Sequence, residues 1–262
     1  MKRLITNIIL SNLPRNLKFY FSKLLTKCSR LLLESGFHSS AQPQLNGEYW
    51  FLENPIIPLR YVLDGGANRG EWTKFLLQHN SDIEHLIMVE PNSLLINNLR
   101  KEYCNEHRIE IIESGLDCRK DRLPFHVPIE GDSHGTFSNY LSTMDPNFSL
   151  IKTTTIDEII KKFKIKTLDL VKLDLEGFDH NALLGARNSL SDNKIKMIQF
   201  EVTRSWEDTG NSPCATFRLL KRARFKIYWL NKSGLLLIKN FTNIPHFSLY
   251  SNFVAIHESC NE

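Results

Sequence analysis

Apolar positions along this chain alternate between two rhythms, short continuous runs and stripes at helical spacing. Tyr61–Asp64, His85–Glu90, Ile109–Ile112, Leu168–Asp174 and Met197–Glu201 are the runs, each the length of a strand buried on both faces. Between them, Trp72, Phe75, Leu76 and His79 form one helical stripe, and Leu95, Ile96, Leu99 and Tyr103 form another. Thr155-Ile156-Asp157-Glu158 reads as a capping box that opens a third helix, with Ile156, Ile159, Ile160 and Phe163 on its buried face. A further helix is expected around Asn181–Leu190, and Ser212-Pro213 marks another helix start, with proline at the first turn. The rhythm then changes. Phe225–Leu230 and Leu235–Ile238 flank a turn at Asn231–Gly234, and Phe253–Ile256 closes the pattern. About seven strands alternating with helices, without an internal repeat, predict a single open α/β sandwich.

Two stretches fall outside the rhythm. Residues 114–153 carry no long helix, only Phe125-His126-Val127 as a candidate strand, and a connection that long is usually functional or built from short strands. Residues 36–60 read as a linker punctuated by Gly36, Ser39, Ser40, Pro43, Gly47, Pro55 and Pro58.

Charge refines the picture at the N-terminus. The formal net charge is +4, but residues 1–35 hold Lys2, Arg3, Arg15, Lys18, Lys23, Lys27 and Arg30 against Glu34 alone. The other 227 residues therefore sum to −2, which disfavours a nucleic-acid substrate for the body of the protein. The basic segment is interleaved with Leu4, Ile5, Ile8, Ile9, Leu10, Leu17, Phe19, Tyr20, Phe21, Leu24 and Leu25. No run is long enough to span a bilayer, so the alternatives are a helix on an anionic membrane surface or one packed against protein. The five scattered cysteines lack any C-x-x-C pair, which fits a reducing compartment and a cytoplasmic location.

The chemistry concentrates at strand ends. Asp64-Gly65-Gly66-Ala67-Asn68-Arg69-Gly70 joins the first strand to its helix through a glycine-rich turn. The spacing is neither G-x-G-x-x-G nor a phosphate loop, and suits a nucleoside ligand without pyrophosphate, such as S-adenosylmethionine. Glu90-Pro91 ends the second strand, where a carboxylate can accept hydrogen bonds from both ribose hydroxyls. Ser114-Gly115-Leu116 leaves the third strand where an adenine could lie, although a plain turn has the same pattern. In the fourth run, Lys172 and Asp174 interrupt a central strand on one face. Lys172 is expected to pair with Asp174 or Asp64, while Asp174 and Glu176 face the acceptor and position or deprotonate its hydroxyl. Glu201 ends the fifth run beside these acids and His180 lies just beyond Gly177, so acids at two adjacent strand ends plus a histidine could hold a divalent metal, which is not the favoured reading. His134 is a second candidate base, with an exposed loop histidine as the blander account.

In these residues the chain resembles the FkbM family of S-adenosylmethionine-dependent methyltransferases. The resemblance rests on Leu63–Gly70, Glu90-Pro91 and Thr154-Thr155-Ile156-Asp157, most strongly on Leu170-Val171-Lys172-Leu173-Asp174-Leu175-Glu176-Gly177, then on Leu184-Gly185-Ala186 and Ser251–Ala255. It implies a Rossmann-like class I methyltransferase sandwich with a seven-stranded, mostly parallel sheet and an antiparallel C-terminal strand. It also implies methylation of a hydroxyl of a sugar, such as a surface glycan, or of a natural product. Asp64, Gly65, Gly66, Ala67, Asn68, Gly70, Glu90, Pro91, Ser114, Gly115, Leu116 and Asp174 become the expected cofactor residues. Lys172, Asp174 and Glu176 become the expected catalytic ones. Gly65 stands where the family usually has an aliphatic residue, and Asp179 where it usually has glutamate. The chain divides on this reading into a basic amphipathic extension over 1–45, with residues 1–35 able to touch a membrane, and a methyltransferase domain over 46–262. A non-catalytic adenosylmethionine-binding module and a NAD-dependent oxidoreductase are the alternatives.

Overall fold

The computed structural model describes residues 14–37, 42–126, 136–137, 148–203, 205–239 and 251–261. Helix α1 (Arg15–Phe37) comes first, followed by two short helices, α2 (Pro43–Asn46) and α3 (Glu48–Glu53). The first half of the sheet is built from β1 (Tyr61–Gly65), α4 (Glu71–His79), β2 (His85–Glu90), α5 (Ser93–Glu102) and β3 (Ile109–Glu113). Short strands β4 (Gly115–Leu116), β5 (Arg122–His126), β6 (Thr136–Phe137) and β7 (Phe148–Thr154) occupy the stretch without helices. Then come α6 (Ile156–Lys162), β8 (Leu168–Leu173), α7 (Asp179–Leu184), α8 (Arg187–Ser191) and β9 (Ile195–Val202). Helices α9 (Ser205–Asp208) and α10 (Pro213–Arg222) lead to β10 (Phe225–Asn231), β11 (Gly234–Leu237) and β12 (Ser251–His257).

The main sheet has the order β11-β10-β12-β9-β8-β1-β2-β3. From β3 to β9 every pairing is parallel, whereas β12 inserts antiparallel between β9 and β10. This is the mostly parallel sandwich with an antiparallel C-terminal strand that the resemblance implies, with eight described strands in place of the expected seven; β11 is the second arm of the hairpin. The described residues of this stretch form a second sheet, β4-β7-β5-β6, so the strand expected near Phe125 is one of four described there. Of that expected strand, Val127 lies outside the described residues.

Each central strand feeds two cores because its side chains alternate between faces. Leu63, Val171, Ile198 and Phe200 pack with α6, α7 and α10 on one side. Val62, Leu170 and Met197 pack on the other with Phe51 and Leu52 of α3 and Trp72 and Leu76 of α4. The stretch read as a linker is therefore partly core. Its glycine and proline punctuation is real but brackets helices rather than a spacer: Pro43 starts α2, and Gly47, at φ 98°, separates α2 from α3. Thr155 caps α6 as read, the Glu158 N–H donating 3.1 Å to its Oγ1, while the Glu158 carboxylate turns to Lys120 instead of closing the other half of the box. All five cysteines are free thiols.

Candidate active site

The parallel strands deliver their carboxyl ends to one edge, and there the β1–α4 turn folds back on its neighbours. Gly66 N and Ala67 N donate to Val89 O at 2.9 and 3.1 Å, which fastens the turn to the tip of β2. Gly66 has φ 76°, and a Cβ there would lie 2.1 Å from Asp174 O, so only glycine lets the turn pass beneath the end of β8. Asp174 N in turn donates to Gly65 O at 3.1 Å. Strand pairing, sterics and backbone hydrogen bonds thus hold three strand tips around a cleft of about 510 Å³, within the range of small-molecule sites.

One wall is organised by Glu90. Its Oε2 accepts from Asn68 N at 2.9 Å and its Oε1 from Asn92 N at 2.9 Å. Each oxygen keeps a lone pair beyond the one used. Burial raises the Glu90 pKa, while the two backbone donors and Lys172 oppose the rise. Pro91, Ser114, Gly115 and Leu116 continue this wall, with Leu95 and Phe125 adding apolar surface. Ser114 Oγ is 3.0 Å from Lys152 O, which ties the exit of β3 to the second sheet.

The opposite wall is crowded with acids. Register places Asp64, Lys172 and Gln199 side by side across β1, β8 and β9. Lys172 Nζ lies 3.3 Å from Asp64 Oδ1, 3.4 Å from Asp174 Oδ2 and 3.2 Å from Gly66 O. Its three N–H donors thus have three partners, so the lysine pairs with both expected acids. Burial alone would pull the ammonium down, but Asp64, Asp174 and Glu48 outweigh burial and hold its pKa above the ordinary lysine value. Asp174 opens into the cleft, with its side chain 46% exposed. Glu176 also lines the cleft and accepts 3.3 Å from Ser205 Oγ. Glu201 does too, and burial followed by Asp174, Glu48, Glu176 and Asp179 pushes its pKa well up. Behind them Asp179 is fully buried, and burial with Asp174 and Glu176 nearby pushes it up to about 8.

Among the residues read from sequence, Lys172, Asp174, Glu176, Gly66, Ala67, Asn68, Glu90, Pro91, Ser114, Gly115 and Leu116 all line this single cleft. Three do not. Asp64 lies beneath it, completely buried, with Oδ2 accepting 2.7 Å from Thr73 Oγ1 and Oδ1 facing Lys172. Its carboxylate is spent on holding the floor, not on touching a ligand. Gly65 is covered by Leu116, whose Cδ1 is 2.7 Å from where a Cβ would stand. Gly70, at φ 78°, starts α4 against Leu99 and Tyr103. His180 turns to Thr216 Oγ1 at 2.8 Å and is not on the cleft wall. Among the described residues no group of three or more His, Cys, Asp or Glu could hold a metal ion. His134 lies outside the described residues.

Glu48 is the residue that the sequence reading missed. It reaches the acidic wall from α3, where its Oε1 accepts from Asn46 Nδ2 at 2.7 Å and Asn252 Nδ2 at 3.4 Å. Its Oε2 accepts from Gln199 Nε2 at 3.2 Å. Burial raises its pKa, opposed first by Lys172. The signal available was small: one acid beside an aromatic pair, Tyr49-Trp50, inside a proline- and glycine-punctuated stretch.

Six acids (Glu48, Glu71, Glu90, Asp174, Glu176, Glu201) and two bases (Arg69, Lys172) line the cleft, a balance that suits a cationic ligand and repels a pyrophosphate. S-adenosylmethionine fits on three further counts. Glu90 offers two carboxylate oxygens for a ribose, the Ser114–Leu116 exit provides backbone and apolar contact, and the buried Trp72 indole N–H on the cleft has no hydrogen-bond partner among the described residues.

The chain matches the model of the methyltransferase FkbM domain over residues 64–227. A crystal structure of methyltransferase FkbM from Methylobacillus flagellatus KT superposes with TM-score 0.50 at 19% identity, covering 76% of this chain and 44% of that one. This chain thus spans less than half the length of that protein. Precorrin-6y C5,15-methyltransferase from Geobacter metallireducens GS-15 gives TM-score 0.43 at 9% identity, covering 80% of this chain and 87% of that one. TrmK from M. capricolum, solved with S-adenosyl-homocysteine, gives 0.44 at 13%, covering 80% and 68%. No curated protein matches the chain.

Proposed function

The chain belongs to the FkbM methyltransferase family, and from that premise we propose that this S-adenosylmethionine-dependent methyltransferase acts on a hydroxyl of a sugar or natural product. The observation that carries the reading is the position of Asp174. It is an exposed carboxylate at the end of a central strand, in the same cleft as Glu90 and beside Lys172.

When bound, S-adenosylmethionine supplies a methyl group on a positively charged sulfur, and transfer from it needs no covalent intermediate with the protein. The residues present divide the remaining work. Glu90 would hold the ribose hydroxyls, and Ser114, Gly115 and Leu116 would bound the adenine. Lys172 is a positioning residue: its three donors are committed to Gly66, Asp64 and Asp174, so it fixes the carboxylate of Asp174 relative to the glycine turn. Asp174 accepts the proton from the acceptor hydroxyl as that oxygen attacks. Glu48, Glu176 and Glu201 supply acceptor oxygens, the complement of a polyhydroxy molecule, and their shared negative field disfavours a phosphate-rich acceptor.

Replacing Asp174 with asparagine keeps the shape and removes the base. Transfer of labelled methyl from S-adenosylmethionine to a panel of polyhydroxy acceptors is expected to fall by roughly 10²–10⁴-fold in kcat, with the cofactor Kd changed less than about threefold. Turnover near the wild-type rate would remove Asp174 from the chemistry.

A further inference from the structure

Helix α1 takes no part in the cleft, yet it carries an organised surface. Its side chains from Arg15 to Ser29 are exposed throughout, apart from a half-buried Lys18. Leu17, Tyr20, Phe21, Leu24, Leu25 and Cys28 recur at spacings of one, three and four, which places them along one side of the helix. Leu17, Phe21 and Leu24 are 51, 48 and 56% exposed, so no other part of the described chain covers the stripe. The rest of the circumference holds Arg15, Lys18, Lys23 and Lys27, and no acid precedes Glu34. Lys23 Nζ stands 4.6 Å over the Phe19 ring, a basic head carried on apolar surface. Ser22 and Thr26 turn their hydroxyls back to the carbonyls of Phe19 and Ser22, both at 2.8 Å, which leaves the lysines as the outward polar groups.

We propose that α1 docks on an anionic membrane surface, lying in its plane. The apolar stripe enters the boundary between headgroups and acyl chains, and the lysine flank meets the lipid headgroups. Two features favour lipid over a second copy of the helix. The flanks bear one sign of charge, so two copies would oppose like charges where paired helices ordinarily place opposite ones. Moreover, no described helix is long and apolar enough to cross a membrane, which leaves lying on it as the membrane-bound state open to α1. The proposal does not depend on the acceptor of the methyl group.

Co-sedimentation of the full chain with vesicles tests it. Phosphatidylcholine vesicles containing phosphatidylglycerol are expected to pellet the protein, less so as salt rises, whereas vesicles of phosphatidylcholine alone leave it in solution. Lys23→Gln with Lys27→Gln should weaken binding roughly thirtyfold. Leu17→Gln, Phe21→Gln and Leu24→Gln together should abolish it, with far-UV circular dichroism and thermal unfolding of the α/β body unchanged. Absence of binding to phosphatidylglycerol vesicles would overturn the proposal, and so would equal binding to both compositions. A concentration-dependent dimer, lost in the triple variant without any vesicle binding, would assign the stripe to a second copy and overturn it as well.

Discussion

On the cofactor wall a single carboxylate, Glu90, is held by two backbone N–H groups from residues 22 positions upstream and two downstream. On the facing wall Glu48, Asp174, Glu176 and Glu201 converge from α3, the end of β8 and β9 around one lysine. The first wall is tied by its own backbone, whose two N–H donors offset part of what burial costs Glu90. The second accumulates like charges that raise one another's proton affinity, an arrangement that costs stability and is characteristic of sites where charge must move. The contrast separates two tasks: recognition through fixed hydrogen bonds on one side, and proton handling through electrostatic pressure on the other.

The sharpest way to break the contrast is to remove what holds the walls at a fixed distance. Gly66→Ala would place a Cβ 2.1 Å from Asp174 O at a positive φ, so the backbone itself must move. A loss on the order of 3 kcal/mol in urea unfolding is expected. Gly65→Ala meets the tip of Leu116 at 2.7 Å and, less closely, Leu173 Cδ2 and Lys172 O, each at 3.1 Å, so a smaller loss of about 1 kcal/mol is expected, with adenine contact weakened as Leu116 gives way. Equal costs for the two would mean that the turn does not fasten β8 to the corner.

Glu90→Gln sharpens the recognition side. An amide must turn a donor toward either Asn68 N or Asn92 N, and it loses the charge that strengthens bonds to a ribose. Calorimetric titration with S-adenosylhomocysteine should show about 2 kcal/mol of lost affinity, roughly thirtyfold in Kd. A Kd within about threefold of wild type would take the ribose away from Glu90.

The two walls also differ in how far the sequence revealed them. Gly66, Asn68, Glu90 and Leu116 belong to turns and strand ends whose spacing along the chain already encodes their geometry. The pairing of Lys172 with Asp64 and Asp174 was legible for the same reason, since a charge in a central strand needs a partner on its own face or the adjacent strand. Glu48 was not legible. Its place depends on Gln199 and Asn252, 151 and 204 residues away, and on α3 packing Phe51 and Leu52 into the core. Nothing local distinguishes it from a surface acid in a linker. Asp64 misled in the opposite direction: an acid at a strand tip beside a glycine turn looks like a ligand contact, but two-residue alternation and Thr73 turn it into the floor.

The gentlest probe reads the pressure on the acidic wall. Asp179 keeps its proton up to about 8 when folded, against an ordinary value of 3.8. Between those values the folded chain binds a proton that the unfolded chain has released, so stability falls as pH rises through this window. Asp179→Asn removes that proton linkage. It should flatten the decline and raise stability at pH 8 by on the order of 1 kcal/mol, measured by urea unfolding across pH. An unchanged slope would show that Asp179 is not under this pressure.

The central claim is that Glu90 and Asp174 serve one bound molecule from opposite walls, and a crystal structure of the chain with S-adenosylhomocysteine tests it most directly. The account predicts both ribose hydroxyls on the Glu90 carboxylate, adenine against Ser114–Leu116 and the sulfur turned toward the Asp174 side. A nucleoside bound away from Glu90, or with its sulfur directed away from Asp174, would contradict it.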